Sequence, residues 1–319
     1  MPCLSGWLRS RPKRPGSSPA GLGAAGKRLH LPWLAVSGDE REVSVRVPRL
    51  RGGDGASNES REQHAAQFLF QAHDAREPYQ PIPEQFAPRT ITEAYDMQDA
   101  YHGLITSSRG PIVGYKVALT TPVMQRMVGF NEPCAGAVFA NGVHQSPASI
   151  RGAAYVHLGA ECEVAVLLNR DMPAESAPYD RASAGEAVGA LMPAFELVDD
   201  RGADYSDLFF LGVVADNTWN AGVVLGPQVT AWRDIDLAAT RGAMIINGQR
   251  AGEGKGGDVM GHPLEALAWL ANTLAARGKS LSQGMIVMTG SIVSTKFLNT
   301  GDTATVSIDG LGEARLAVT

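Results

Sequence analysis

Between Gly159 and Leu168 the chain reads GAECEVAVLL, an apolar run broken only by Glu161 and Glu163. In a β-strand alternate side chains share a face, so this spacing points both acids one way and Ala160, Cys162 and Val164 the other. The pair is then either solvated or jointly engaged by one partner. A third acid, Glu196, stands in PAFELVDDR between Phe195 and Leu197, where a lone ionised carboxylate would be costly to bury. Three carboxylates converging in a dry site repel one another and need protons or a divalent cation. An all-oxygen donor set suits Mg²⁺ or Mn²⁺ better than zinc. Spacing alone leaves both the solvated face and the metal site open.

Other polar residues carry weaker signals. Lys116, in GYKVALT, either lays its stem on apolar surface with its ammonium in water or faces an anionic substrate as a charge and proton source. His144, in VFANGVH, could act as a base or serve the structure. Asp199, Asp200 and Arg201 suggest an ion-pair corner beside Glu196, and Asp216 and Asn217 in DNTWN could cap a turn. The cluster GEGKGG at Gly252–Gly257 has neither phosphate-loop nor dinucleotide spacing, and it reads as a flexible loop able to serve as a lid.

The elements that must position these groups follow from periodicity. SREQHAAQFLFQAHDA places Ala65, Phe68, Leu69 and Ala72 on one helical stripe. After a Pro-rich turn, Thr90 and Glu93 have capping-box spacing ahead of a second helix through Met97, Tyr101 and Ile105. Beyond Arg109 short apolar runs separated by Gly, Pro or Asn predict a succession of strands: GPIVGYKVALT, CAGAVFA, AYVHLGAECEVAVLL, AGVVLG, AMIINGQ, GMIVMTGSIV and ATVSIDG. Two helices are expected to interrupt them, one near Ala182–Leu191 and one from Pro263 with Gly278 as its stop. There is no internal repeat and no βαβ alternation of the doubly wound kind.

The totals narrow the class. At 319 residues and 44% hydrophobic, the chain can bury a substantial core. No apolar stretch reaches the roughly 18 residues a membrane span needs, and no secretory signal is visible. Cys3, Cys134 and Cys162 form no closed disulfide framework and no CxxC, so a reducing, cytoplasmic setting is expected. The net charge of -5 hides an asymmetry: residues 1–38 hold six basic residues and no acid, and without them 22 basic residues face 33 acidic ones. An acidic body excludes a general nucleic-acid binder. Residues 1–58, rich in Pro, Gly, Ser and Arg, read as a disordered tail. Residues 59–109 then read as a helical N-terminal subregion and 110–319 as the β-rich catalytic domain.

The stretches GYKVALTTPVMQRMVGFNEPCAG, GAECEVAVLLNRDM, PAFELVDDR, DNTWNAGVVLG and TGSIVSTKFLNTGDTATVSIDGLGEARL, in this order, resemble the 2-keto-4-pentenoate hydratase and oxalocrotonate decarboxylase branch of the fumarylacetoacetase superfamily. That resemblance implies an α+β, mainly β fold: a mixed β-roll with flanking helices, like the C-terminal domain of fumarylacetoacetase. It implies Mg²⁺ or Mn²⁺ held by Glu161, Glu163 and Glu196. It assigns catalysis to Lys116, with Cys134 and His144 as further candidates, and substrate contacts to Leu119 and to the Thr289–Ser291 turn, in particular Thr289 and Ser291. Its hydratases carry an acid where Cys134 stands, so the thiol is a departure, and related decarboxylases tend to have an apolar residue there. The activity it implies is metal-dependent hydration of a 2-hydroxy-2,4-dienoate or 2-oxo-3-enoate, in aromatic-compound catabolism, by a homo-oligomer. Decarboxylation of a 2-oxo dioate is the nearest alternative. An acylpyruvate-type hydrolase and a non-catalytic subunit partnering a homologue stand further off.

Overall fold

Ser60 opens the first helix with a reciprocal cap, its hydroxyl accepting from the Gln63 amide while the Gln63 side chain accepts from Ser60 N–H. The computed structural model describes residues 60–319, so the expected tail at 1–58 lies outside the described residues. Helix α1 (Arg61–Asp74) packs through Ala65, Ala66, Leu69 and Ala72 on α2 (Ile91–Arg109). At the start of α2, Thr90 caps the Glu93 amide at 3.1 Å, but the Glu93 carboxylate accepts from Arg89 N–H instead of closing the expected box. Both helices lie on one side of the sheet described next, against Ala137 and Phe139.

The strands follow as β1 (Ile112–Ala118), β2 (Cys134–Phe139), β3 (Val143–Gln145), β4 (Ala148–Ile150), β5 (Leu158–Leu168) and β6 (Val188–Asp199). After these come β7 (Asn220–Leu225), β8 (Arg241–Ile246), β9 (Gln249–Lys255), β10 (Ile286–Phe297), β11 (Thr303–Ile308) and β12 (Gly312–Val318). A seven-stranded mixed sheet runs in the order β2-β1-β10-β5-β6-β7-β3, with β1/β10 and β3/β7 parallel. A five-stranded sheet, β4-β12-β11-β8-β9, lies against β6 and β10. The larger sheet curls until β2 approaches β7, giving a half-barrel.

Alternation along the strands sorts the core into two sides. Ala165, Leu167, Met192, Ala194, Ile286 and Met288 fill the concave side as an apolar plug. Ala160, Cys162, Val164, Phe195 and Leu197 face the other way into the main core, joined by Leu264, Leu267, Leu270, Ala271 and Leu274 of α6 (Pro263–Ala275). Glu161, Glu163, Glu196 and Lys116 share the parity of the plug, so charged groups cap one end of an apolar interior.

Several connections differ from the sequence expectation. The helix expected over Ala182–Leu191 is α4 (Arg181–Glu186), capped by Asp180, and Val188–Leu191 already belong to β6 because Ala190 and Leu191 are needed on its two buried faces. Two further short helices appear among the strands, α3 (Pro122–Val128), started by Thr121 and Pro122, and α5 (Phe210–Ala215). The glycine cluster is no lid: Gly252 and Gly254 lie in β9, paired with β8, and Gly254 and Gly256 bring that backbone so close to Ile292 and Leu237 that no side chain would fit. Helix α6 ends at Ala275, and Gly278 reverses the chain just beyond it at φ 68°. No helix among the described residues is long and apolar enough to cross a membrane.

Gly114 shows how tightly β1 is seated. A Cβ there would run into the Ile286 carbonyl across the parallel β1/β10 pair. Gly114→Ala is expected to destabilise the protein by about 1–3 kcal/mol, the usual cost of overpacking, in a denaturant titration; an unchanged midpoint would refute the close approach.

Candidate metal and substrate site

Strands β5 and β6 pair antiparallel with Glu161 directly opposite Glu196, and β10 sets Ser291 opposite Glu163. One carboxylate oxygen from each of Glu161, Glu163 and Glu196 lies within 4.8 Å of the others. Protein donors take up part of each group. Gly290 N–H donates to Glu163 Oε2 at 2.8 Å, Asn220 Nδ2 donates to Glu196 Oε1 at 3.0 Å, and the Thr295 hydroxyl donates to Glu161 Oε1 in a short contact. Lys116 Nζ is also 3.0 Å from Glu196 Oε1. That leaves Glu163 Oε1 and Glu196 Oε2 buried with no partner in the protein. Unpaired buried carboxylate oxygens are costly, and two of them in one all-oxygen cluster are the arrangement a hard divalent cation satisfies.

The donor to Glu163 depends on a local irregularity of β10. Met288 faces Ala165 and Ser291 faces Glu163, so β10 carries one more residue than β5 and bulges at Thr289–Gly290. The bulge frees Gly290 N–H from the ladder. Gly290 has φ 115°, and a Cβ would meet Thr120 Oγ1 at 2.6 Å, so glycine is required twice over. The Thr289–Ser291 turn is thus mostly spent on structure. The Thr289 hydroxyl is fully buried and donates to the Val164 carbonyl at 2.8 Å, whereas Ser291 lines the adjoining cavity and donates to the Val293 carbonyl.

Burial, and then the charge of Glu196, push the Glu161 carboxyl up to about 7, against the pull of Lys116 and Thr295. Burial, with Glu196 and Glu161 beside it, holds Glu163 well above the ordinary carboxylate range. Burial alone would lower Lys116, but the neighbouring Glu196 and Glu161 outweigh it and hold the ammonium above its usual value. Lys116 is therefore a buried cation, 3% exposed, rather than the solvated surface lysine that was the other sequence reading.

The remaining sequence candidates separate. Leu119, at φ 55°, lines the cavity. Cys134 is fully buried in β2, and burial pushes its thiol up to about 12, so it stays protonated. His144 is not brought to the site. It lies on the edge strand β3, where Val143 joins the interior plug and alternation turns His144 away, and it is absent from the cavity wall. The ion-pair corner is also different: Arg201 pairs with Asp216 at 2.7 Å, Asp200 takes His157 and Tyr205, and Asp199 accepts the amides of Val156 and His157.

Sequence reading missed Asn220 and Thr295. Asn220 stands in DNTWN, where Asn217, Thr218 and Trp219 all have positive φ. That turn is held by Asn217 accepting from Ala137 N–H and donating to Ala137 O, with His102 at 2.8 Å, and by Asp216 between His73 and Arg201. It delivers Asn220 to Glu196, a role no spacing rule announces. Thr295 has the parity of Ser291, but register shifts within β10 make parity an unreliable guide there.

A cavity of about 530 Å³ opens from this cluster, lined at its inner end by Lys116, Glu161, Ser291 and Thr295. A second cavity of about 220 Å³, between α2 and the Trp219–Gly222 segment, holds no carboxylate triad.

The chain can be compared with known proteins. A family model described as fumarylacetoacetate (FAA) hydrolase C-terminal matches residues 129–319. A 2-keto-4-pentenoate hydratase from Paraburkholderia phymatum is 33% identical over 81% of this chain and 98% of its own length. A 2-hydroxyhexa-2,4-dienoate hydratase from Comamonas testosteroni is 31% identical over 79% of this chain and 96% of its own length. Among solved structures, 4-oxalocrotonate decarboxylase from Pseudomonas putida G7, complexed with magnesium and adipate, superposes with a TM-score of 0.75 at 25% identity, covering 81% of this chain and 97% of that one.

Two outcomes follow for the carboxylate cluster. Glu161 has a folded pKa above its unfolded one, so the stability it confers is full below about 4.5 and is lost as pH rises through about 7, and Glu163, also raised, acts in the same direction. The metal-free protein should therefore melt at lower temperature at pH 8 than at pH 5.5, and Mn²⁺ should raise the Tm more at pH 8, by scanning fluorimetry. An equal Mn²⁺ shift at both pH values would refute the coupling. Thr295→Val removes the donor to Glu161 and should weaken Mn²⁺ affinity about 10–100-fold in calorimetry, the usual cost of losing a group that orients a ligand.

Proposed function

The chain belongs to the fumarylacetoacetate hydrolase family, and from that premise we propose that it is a divalent-metal-dependent hydro-lyase of the 2-keto-4-pentenoate hydratase kind. The reaction is addition of water to a 2-hydroxy-2,4-dienoate, through its 2-oxo-3-enoate form, to give a 4-hydroxy-2-oxo acid. The observation that carries this reading is the meeting of Glu161, Glu163 and Glu196 within 4.8 Å beside a buried Lys116. Relatives matched over nearly their whole length bear hydratase names at 31–33% identity, which supports the same choice.

Glu161, Glu163 and Glu196 would hold Mg²⁺ or Mn²⁺, which supplies Lewis-acid polarisation of the substrate's C2 oxygen and a fixed anchor for its C1 carboxylate. The protein's own groups do the rest. Lys116 Nζ carries a persistent positive charge at the cavity wall, placed to oppose the negative charge that develops on an enolate oxygen and to deliver a proton during ketonisation. Asn220 and Thr295 fix the orientation of Glu196 and Glu161. Apolar side chains, among them Val198, Phe210 and Ile292, keep bulk water from the enone. Cys134, protonated in its dry setting, takes no base role.

Decarboxylation of a 2-oxo dioate remains the second reading, favoured by the similarity to 4-oxalocrotonate decarboxylase and by the lack of an acid at position 134. An acylpyruvate hydrolase finds less support, since no histidine stands among the described residues lining the cavity. The protein is read as a cytoplasmic homo-oligomer without nucleic-acid or membrane partners.

Purified protein with Mg²⁺ should consume 2-hydroxypenta-2,4-dienoate, seen as loss of dienoate absorbance, without releasing CO₂ from 2-oxo dioates. Glu161→Gln should lower kcat/KM by more than about a hundredfold, the most that loss of an orienting group alone costs. CO₂ release as the faster reaction would transfer the assignment to the decarboxylase, and full activity of the metal-stripped variant would overturn both. Mn²⁺ binding without any turnover, restored by adding a homologue, would mark a non-catalytic subunit.

A further inference from the structure

The cavity is far larger than a five-carbon acid requires. Its 530 Å³ falls within the range of about 300–1,000 Å³ found for sites that enclose drug-sized ligands. Its polarity is also one-sided. At the inner end Glu161 lines the cavity with the buried Glu163 and Glu196 behind it, whereas Val123, Met127 and Phe297 are 65%, 49% and 40% exposed at the mouth. Between them the wall is built from the aliphatic and aromatic side chains of α3 and of Leu208–Val213, including Met124, Leu208 and Phe210.

Charge is distributed with the same bias. Among the described residues that line the cavity, Lys116 is the sole cation, and it is already held by Glu196 at 3.0 Å. The other charged lining groups are acids, Glu161 and Asp258, and Asp258 keeps one oxygen on the Lys255 amide at 2.9 Å. Lys296 reaches the rim residue Ser294 at 3.1 Å but does not itself line the cavity. A distal substrate carboxylate laid on this wall would give up part of its water to apolar side chains and find no unpaired cation among the lining residues, Asp258 adding repulsion instead. An uncharged chain would instead lie on the apolar side chains of α3 and of Leu208–Val213.

Resting on the hydratase reading, we propose that this enzyme selects 2-hydroxydienoates bearing an extended uncharged alkyl or aryl substituent at the end remote from C1, and rejects dioates of equal length. Val123, Met124, Met127, Leu208, Phe210 and Phe297 are the specificity-determining residues. Because each buried methylene is worth about fourfold in affinity, affinity should climb with tail length.

The test is calorimetry on the Mn²⁺-loaded full-length protein with oxalate, pyruvate, 2-oxooctanoate and 2-oxosuberate, none of which can be hydrated. Oxalate and pyruvate report the metal end alone; if neither binds, the hydratase reading fails and this inference with it. If they bind, 2-oxooctanoate should bind at least about tenfold tighter than pyruvate, and 2-oxosuberate no tighter than pyruvate. Equal affinity for the two eight-carbon acids, or no gain of 2-oxooctanoate over pyruvate, would overturn the selectivity while leaving the hydratase reading intact. Met127→Glu, at a half-exposed position that accepts a charge, should erase most of the 2-oxooctanoate gain and leave oxalate affinity as it was. Unchanged 2-oxooctanoate affinity in that variant would remove α3 from the tail site.

Discussion

Two like charges placed directly across an antiparallel strand pair repel, and between Glu161 and Glu196 that repulsion is set at the inner wall of a cavity, with Glu196 buried and Glu161 half-buried. Most of the local structure can be understood as the means of tolerating it. Lys116 and Asn220 take one oxygen of Glu196, Thr295 takes one of Glu161, and the β10 bulge turns a backbone amide onto Glu163. The protein donors stop short of full satisfaction, and the oxygens they leave bare are those of Glu163 and Glu196. The protein alone therefore relieves the cluster by protonation, while a divalent cation relieves it by charge.

The cost of holding such a cluster is spread into the surrounding backbone. Asn217, Thr218 and Trp219 occupy left-handed conformations in succession, a strain that persists only where the surroundings over-determine it. Here His102, Ala137, His73 and Arg201 do so through buried hydrogen bonds and an ion pair. Gly136, facing Lys116 across β1/β2, lets the turn come close, since a Cβ there would collide with the Thr218 hydroxyl. Two separate strands and a strained turn thus converge on one carboxylate, and the rigidity of the half-barrel is what keeps that carboxylate near its partners.

Charge and apolar surface are divided along the cavity. Its inner end is nearly all charge and hydrogen bonds, on a plug of Met192, Ala194 and Met288, and its outer part is apolar wall. Hydratase and decarboxylase names both occur among this chain's relatives, so similar chains carry more than one reaction. In this chain Cys134, a buried thiol, supplies no carboxylate to the centre.

Much was legible in the primary structure because it was local. The apolar strands, the caps at Ser60 and Thr90, the helix from Pro263 and the acids at 161, 163 and 196 all stand out by spacing of two or by helical stripes. The ordered motifs carried the family and, with it, Lys116. What tertiary structure decided was pairing across long separations. Only the register of β5 with β6 sets Glu161 against Glu196, and only the bulge at Gly290 supplies Glu163 with its donor. The same holds for His144, which stands next to a family motif yet faces outward, and for GEGKGG, whose glycines look like a mobile loop but serve close packing of β9. Spacing along a chain encodes which face a side chain takes; which other face it meets is settled by strand order and register, and no single segment contains those.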